Sequence, residues 1–567
     1  MNLKKVLASG LALALLAGCS SGGNTSGGGS TDGGDSGNSG NSGSESSSVV
    51  VAINSDLNTM DYHVATDGTS FIMHSMCIGG LVELDENAQP VPDLAEKWDV
   101  SDDGTVYTFT LRDGLKWSDG TPLTANDFVY AWQRLDAPNL ASEYAFLLET
   151  VCVKNAHECF DGAVPLSDLG VSAPDDKTFV VTLTQPVGFF LGLMAFPSFF
   201  PLNQAFYESQ GGDLDANVAD NTFAQSVDKM LYCGPYVMSG WDANTEYTFT
   251  KNPNYWNAAE QDKYADEVVF RFIKDAQSAA LSYQQGDLDA VTLTGDLVDQ
   301  YSSDPGFTQR LQGYAWRLNL NQQAPNTEIF KNQNFRKALS LSIDREIIAT
   351  NVLKDGSIAA EGFIPKDFAF SPKGVDYRAE VGNLLSYDVD AAKAALEEAK
   401  KELGVDNFKV DILYETDSEA PGKVAENLQA MWKENLGIEV TLNPKTKKER
   451  LELMNNLDYE IGLTRWGPDY ADPQTYLDLF KSDQTAYNGY YFNPEYDALL
   501  NKAETGADAA DADKRWADLI EAEKMILDDY GIIPVFQNGA AMLINPSVKG
   551  IQFHNAGVDS YRHITVE

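Results

Sequence analysis

Apolar and polar residues alternate with two different periods along this chain, and the change of period divides it. In the first half the period is two. Tyr107, Phe109 and Leu111 alternate with polar residues over 107–112, Phe179, Val181 and Leu183 mark 178–183, and the stretches 246–250 and 268–272 continue the pattern. Successive side chains of a strand point to opposite faces, so each stretch predicts a strand with one face buried. The unbroken run Val49-Val-Val-Ala-Ile53 predicts a fully buried strand. In the second half the period lengthens. Phe335, Leu339, Ile343 and Ile347 fall four apart and predict a helix over 335–353. Further helices over 389–403 and 424–436 stop at Gly404 and Gly437, where glycine takes the left-handed helix end without a Cβ clash. The stretch 387–463 reads helix, strand, helix, strand, helix, strand, the pattern of an open α/β sheet. At roughly 100–200 residues per domain, two to four domains are expected.

The patterning fails at the N-terminus. Lys4 and Lys5 precede an apolar run over 6–16 that only Ser9 and Gly10 interrupt. A spanning helix needs about 20 residues, so the run has the shape of a secretory signal and not of an anchor. It ends in Leu16-Ala17-Gly18-Cys19, which resembles the bacterial lipobox. That resemblance implies cleavage before Cys19 and a diacylglyceryl group on its sulfur, whose two chains anchor stably where one chain is marginal. Residues 20–48 are mostly Gly, Ser, Asn and Thr with a few acids. They can join no core and are expected to form a flexible tether.

The net charge is −43. Such a surface repels nucleic acid and anionic lipid headgroups and excludes a nucleic-acid function. Beyond Cys19 the cysteines are Cys77, Cys152, Cys159 and Cys233. Export permits disulfides; Cys152 and Cys159 are near enough in sequence to pair, with buried free thiols as the alternative. There is no C-x-x-C, G-x-S-x-G, Walker-A, H-E-x-x-H or G-x-G-x-x-G pattern in the folded part. The five histidines share no ligand spacing. Asp213-x-Asp215-x-Asn217 begins like a calcium loop but lacks its glycine and distal glutamate. No catalytic residue, metal or cofactor is therefore expected.

From residue 95 a series of motifs unfolds: Ala95-Glu-Lys-Trp98, Asp103-Gly-Thr-Val-Tyr-Thr-Phe-Thr-Leu-Arg112, and Gly114-Leu-Lys-Trp-Ser-Asp-Gly-Thr-Pro-Leu-Thr-Ala-Asn-Asp-Phe-Val-Tyr-Ala-Trp132. Gly234-Pro-Tyr236, Asn252-Pro-Asn-Tyr-Trp256, Phe335-Arg-Lys-Ala-Leu-Ser-Leu-Ser-Ile-Asp-Arg345, Trp466-Gly-Pro-Asp-Tyr-Ala-Asp-Pro473 and Asn493-Pro-Glu-Tyr-Asp497 follow in order. This series resembles the peptide- and oligopeptide-binding proteins of ABC importers, extracellular solute-binding family 5, over essentially all of 49–567. Much of it is scaffold chemistry. Asp119-Gly120 is a turn, Thr124 can cap the helix that follows, and Asp344 and Arg345 are expected to fix packing.

The resemblance implies a ligand site. The segment Arg465-Trp466-Gly467-Pro468-Asp469-Tyr470 interrupts a strand with Gly and Pro at the edge where open α/β folds bind ligands. The family's acid for a peptide α-ammonium falls on Asp469; the alternative is that Asp469 caps the next turn. Gly467 would allow a peptide backbone to pair alongside, with Trp466 and Arg465 as neighbours. Tyr144 and Gly68 match ligand-facing positions of the smaller domain and first lobe, or are ordinary surface residues. There are departures. Leu463 stands where the family carries Arg, Pro421 falls near a family His, and Arg465 replaces Gly. Arg465 either takes a carboxylate itself or pairs with an acid such as Asp469 or Asp472.

The implied fold is α/β, a two-lobed periplasmic-binding-protein type II (cluster C) fold with an extra inserted domain. Residues 1–18 are the signal peptide and 19–48 the lipidated tether. Lobe I takes 49–78, 195–315 and 530–567, the inserted domain 79–194, and lobe III 316–529. The implied function is a monomeric, non-enzymatic receptor. It is lipid-anchored through Cys19 to the outer face of a Gram-positive-type cell membrane, and it passes peptides to an ABC permease with ATPase subunits. Alternatives are the same fold binding a cationic non-peptide solute or a signalling peptide, or a surface hydrolase.

Overall fold

A computed structural model describes residues 47–567 except 87, 215–220, 324–326, 469, 485–488, 505 and 510. Cys19 and Asp469 lie outside the described residues.

The alternating stretches became strands. Val106–Leu111 buries Tyr107, Phe109 and Leu111 on one face, and Thr178–Thr182 buries Phe179 and Val181. These two pair antiparallel in a four-stranded sheet with Ala95–Val100 and Val171–Asp175 at its edges. The helix Ala125–Leu135 packs on it, and Trp132 meets Phe179 edge-on. Thr124 opens that helix in a capping box with Asp127, satisfying otherwise orphaned backbone donors. Gly120, at φ +86°, makes the preceding turn.

The remaining long strands form one eleven-stranded sheet. At one end, Ser48–Ile53 runs parallel to Glu267–Phe272, followed by Glu246–Lys251 and Tyr236–Asp242. At the other, Lys409–Glu415 is flanked in parallel by Glu439–Lys445 and Ile461–Trp466. The intervening helices Val389–Leu403, Glu419–Leu436 and Lys447–Asn455 give the expected βα alternation. Gly404 and Gly437 end the first two at φ +68° and +70°.

Two strands cross between the halves: Phe307–Leu320 and its antiparallel partner Ile533–Ile544. Their register breaks midway. Leu311 faces Gly539 and Ala315 faces Gln537, so 312–314 bulge opposite Asn538 alone. Side chains fill the gap: Gln537 Nε2 donates to Gln312 O at 3.0 Å, Asn538 Nδ2 to Gln312 Oε1 at 2.7 Å, and Trp316 Nε1 to Asn538 Oδ1 at 3.1 Å. A bulge bends a strand and interrupts its ladder, and here it lies on the two strands that join the two ends of the sheet. Separate cores flank it, one built on Phe109, Trp132 and Phe249, another on Phe335, Trp432 and Ile461.

The helix expected over 335–353 is broken. Gln333–Leu341 ends at Ser342, Asp344 caps a new turn by accepting the Ile347 N–H, and Ile348–Leu353 is a π-helical turn. The break turns Ile347 outward, 41% exposed. Arg345 explains it: buried, it donates to Pro534 O at 2.7 Å and Ser340 Oγ at 3.0 Å, tying the helix to a crossing strand. Cys152 and Cys159 are free thiols whose sulfurs face different carbonyls, Thr150 O and Pro165 O.

Candidate functional site: the cleft between the lobes

The strand Ile461–Trp466 is buried through Thr464 and emerges at its C-terminal end, where Arg465 and Trp466 are half-buried. Ala315, just past the bulge, pairs with Trp466. Arg465 lays its guanidinium over the Tyr314 ring at 4.5 Å and the Trp316 ring at 5.5 Å, a cation–π arrangement. The expected alternative of an Arg465–Asp472 pair is not realised. Asp472 is held instead by Arg515, through Oδ2–Nη1 at 2.7 Å and Oδ1–Nη2 at 2.8 Å, with both residues buried. Trp466 Nε1 donates to Thr475 Oγ1 at 3.2 Å. At Gly467 any Cβ would strike the Tyr314 ring. Pro468 packs on the bulge, since a Cβ on Gly313 would lie 2.7 Å from Pro468 Cγ, and the Tyr476 hydroxyl donates to Gly313 O.

The opposite wall comes from the first half of the chain. Gly68 is the exposed first residue of the helix Gly68–Cys77, capped by Asp67, which accepts the Ser70 N–H at 2.9 Å. One turn on, the Phe71 ring meets Tyr144 edge-on at 5.4 Å, and Tyr144 stacks on Phe196 at 5.4 Å. The Tyr144 loop stands on a buried ion pair. Its N–H reaches Ser142 Oγ at 3.1 Å, Ser142 Oγ donates to His63 O at 2.5 Å, and Arg134 binds Asp61 beside His63. Burial is the largest influence on the Asp61 carboxyl, yet the Arg134 charge and hydrogen bonds outweigh it and hold its pKa below the usual carboxylate value.

The walls meet where Tyr470 stacks on Phe189, ring centres 3.9 Å apart and 11° from parallel. Beside this contact lies a cavity lined by Val82, Leu84, Phe196, Tyr470, Val558 and Arg562, among others. The structure thus brings Arg465, Trp466 and Gly467 together and sets Tyr144 against Phe71, on the helix that Gly68 begins; none of these lines the cavity, which Tyr470 and Phe196 border instead. Sequence reasoning missed Phe189, Phe196 and Arg562. Arg562 reaches Asp93 at 3.0 Å and Glu83 at 3.4 Å across the whole chain, and no local pattern announces such a pairing. Among the described residues no cluster of His, Cys, Asp and Glu could hold a metal ion.

Residues 89–488 match the family model of the bacterial extracellular solute-binding proteins, family 5. The chain belongs to this family. It is 31% identical over 527 residues to a dipeptide-binding protein of Lactococcus lactis, covering 91% of this chain and 93% of the relative. Among solved structures, the substrate-binding domain of an oligopeptide ABC transporter from Bacillus anthracis superposes with a TM-score of 0.74 at 34% identity, over 92% of this chain and 100% of that one. Listeria monocytogenes OppA bound to peptide gives 0.74 at 32%, over 92% and 99%. As a member of family 5 the chain is an extracytoplasmic solute-binding receptor and not an enzyme, which removes the hydrolase alternative.

Proposed function

We propose that this receptor captures peptides in the cleft between its lobes and delivers them to an ABC permease from a lipid anchor on Cys19. The observation that carries the reading is a cavity bordered by Tyr470 and by Phe196, on which Tyr144 stacks, in a chain similar to receptors named for dipeptides and oligopeptides. Asp469 takes the peptide α-ammonium as a charge-assisted hydrogen bond. Gly467, Trp466 and Arg465 border the peptide backbone, and Tyr144 and Gly68 face it from the other lobe. The lobes are 49–78 with 195–315 and 530–567, and 316–529; the inserted domain is 79–194. Bending at 312–314 opens and closes the cleft, and ligand biases that equilibrium toward the closed form.

A non-peptide ligand is the second reading, favoured by the 31% identity to a protein named as a probable deoxycholate-binding periplasmic protein of Escherichia coli. Deoxycholate is an anion without an ammonium group, so the two readings separate cleanly. In a thermal-shift screen, free peptides raise the melting temperature while N-acetylated peptides and bile acids do not. A shift with bile acids and none with peptides contradicts the proposal.

A further inference from the structure

Two of the cysteines meet at a backbone crossing. Cys77 ends the helix Gly68–Cys77, and Cys233 precedes the strand Tyr236–Asp242. The Cys77 carbonyl accepts the N–H of Cys233 at 3.1 Å and that of Gly234 at 2.9 Å. A hydrogen bond of this length sets the two Cα atoms about as far apart as in paired strands, roughly 5.5 Å. A disulfide spans roughly 4.4–6.8 Å. No side chain intervenes, since a Cβ on Gly234 would lie 2.8 Å from the Cys77 carbonyl carbon. Both cysteines are buried, and both are free thiols in the structure. Gly79, two residues past Cys77, donates its N–H to Cys233 Sγ at 3.3 Å, whereas Cys77 Sγ turns back to Met73 O at 3.2 Å. Burial pushes both thiols up, Cys233 to about 12, and the neighbouring Cys233 raises Cys77 further. No backbone hydrogen bond joins Cys152 to Cys159 among the described residues.

We propose that Cys77 and Cys233 are joined by a disulfide in the exported protein, closed by rotation of the two side chains over a backbone crossing already in place. An extracytoplasmic receptor works where such bonds form and persist. The oxidant is a low-molecular-weight disulfide such as oxidised glutathione or cystine. One cysteine thiolate attacks it, forms a mixed disulfide and releases one half as a thiol. The second cysteine then attacks the mixed disulfide, closes the Cys77–Cys233 bond and releases the other half. Two electrons and two protons thus pass from the protein thiols to the two thiols released. The thiolate is the attacking species, and burial suppresses it in the folded protein. The bond therefore forms before the crossing closes and is afterwards sheltered from reductant. It closes a loop over 78–232 that contains the whole four-stranded sheet and the helix Ala125–Leu135, and long loops gain most from such a link. It also fixes the end of the helix that carries Phe71.

The test is peptide mapping by mass spectrometry of the full chain after export, unfolded in the presence of N-ethylmaleimide and digested without reductant. The peptides that contain Cys77 and Cys233 should appear as one linked species that reduction separates, while Cys152 and Cys159 carry the maleimide. Maleimide on both Cys77 and Cys233, or a bond from either of them to Cys152 or Cys159, would overturn the proposal. The parent protein is read directly, so the result does not depend on a variant folding. The same chain, unfolded, reduced and refolded with oxidised glutathione, should regain the same link, and failure to do so would contradict the geometry. Unfolding in urea with dithiothreitol, which leaves the unfolded chain reduced, should occur at a lower midpoint than without it. The Cys77→Ala, Cys233→Ala double variant should show one midpoint in both conditions. Equal midpoints for the parent protein would overturn the stabilising role of the link.

Discussion

Three residues carry separable energetic claims. At position 467 the protein itself excludes a side chain, because the Tyr314 ring occupies the space a Cβ would need. Gly467→Ala should cost about 1–3 kcal/mol of stability by overpacking, read in chemical denaturation without any ligand. Asp472 and Arg515 form a buried bidentate pair under the same loop. Asp472→Ala leaves the guanidinium buried and uncompensated, and about 3–5 kcal/mol should be lost. Asp136 behaves differently. It is fully buried, neither carboxyl oxygen has a hydrogen-bond partner among the described residues, and burial, with Glu149 adding to it, pushes its pKa up to about 7. The unfolded chain holds this group near 3.9. Its folded form binds the proton more tightly, so the contribution to stability is full below about pH 4, declines as pH rises, and is gone above about 7. Asp136→Asn should therefore raise the melting temperature at pH 8 and change it little at pH 4.

At the scale of elements, regular periodicity was legible and long-range demand was not. The strands at 107–112 and 178–183 and the helix–strand alternation of 387–463 could be read because each element's own pattern decides its buried face. The helix over 335–353 could not, because Arg345 is drawn to Pro534 O, a partner 189 residues away, and the turn beginning at Asp344 breaks the pattern. The site divides in the same way. Arg465, Trp466 and Gly467 stand together because one strand carries them, whereas Phe189 and Phe196 enter only through the tertiary fold. The three-against-one bulge is also tertiary: it appears only when the two crossing strands are paired. Gly313 there lies against Asn555 O and Pro468, so the segment that follows Gly467 rests on the bulge. Gly313→Val should clash with both and lower stability by about 1–3 kcal/mol, measurable by thermal denaturation.

For the whole molecule, the family fixes an extracytoplasmic receptor, and the N-terminal residues carry the expectation of a lipid on Cys19. Such an anchor would hold the receptor near its permease and raise the local concentration at which ligand is handed over. Cys19→Ala should release the protein into the medium with its binding affinity unchanged. The central claim, a peptide held by its amino terminus, is tested most directly by calorimetric titration of one peptide in two forms, with a free and with an acetylated N-terminus. Breaking one side of a buried charge pair costs about 2–5 kcal/mol, so the acetylated form should bind about 30-fold to 4,000-fold more weakly. Equal binding of the two forms, or no binding of the free peptide, would contradict the account.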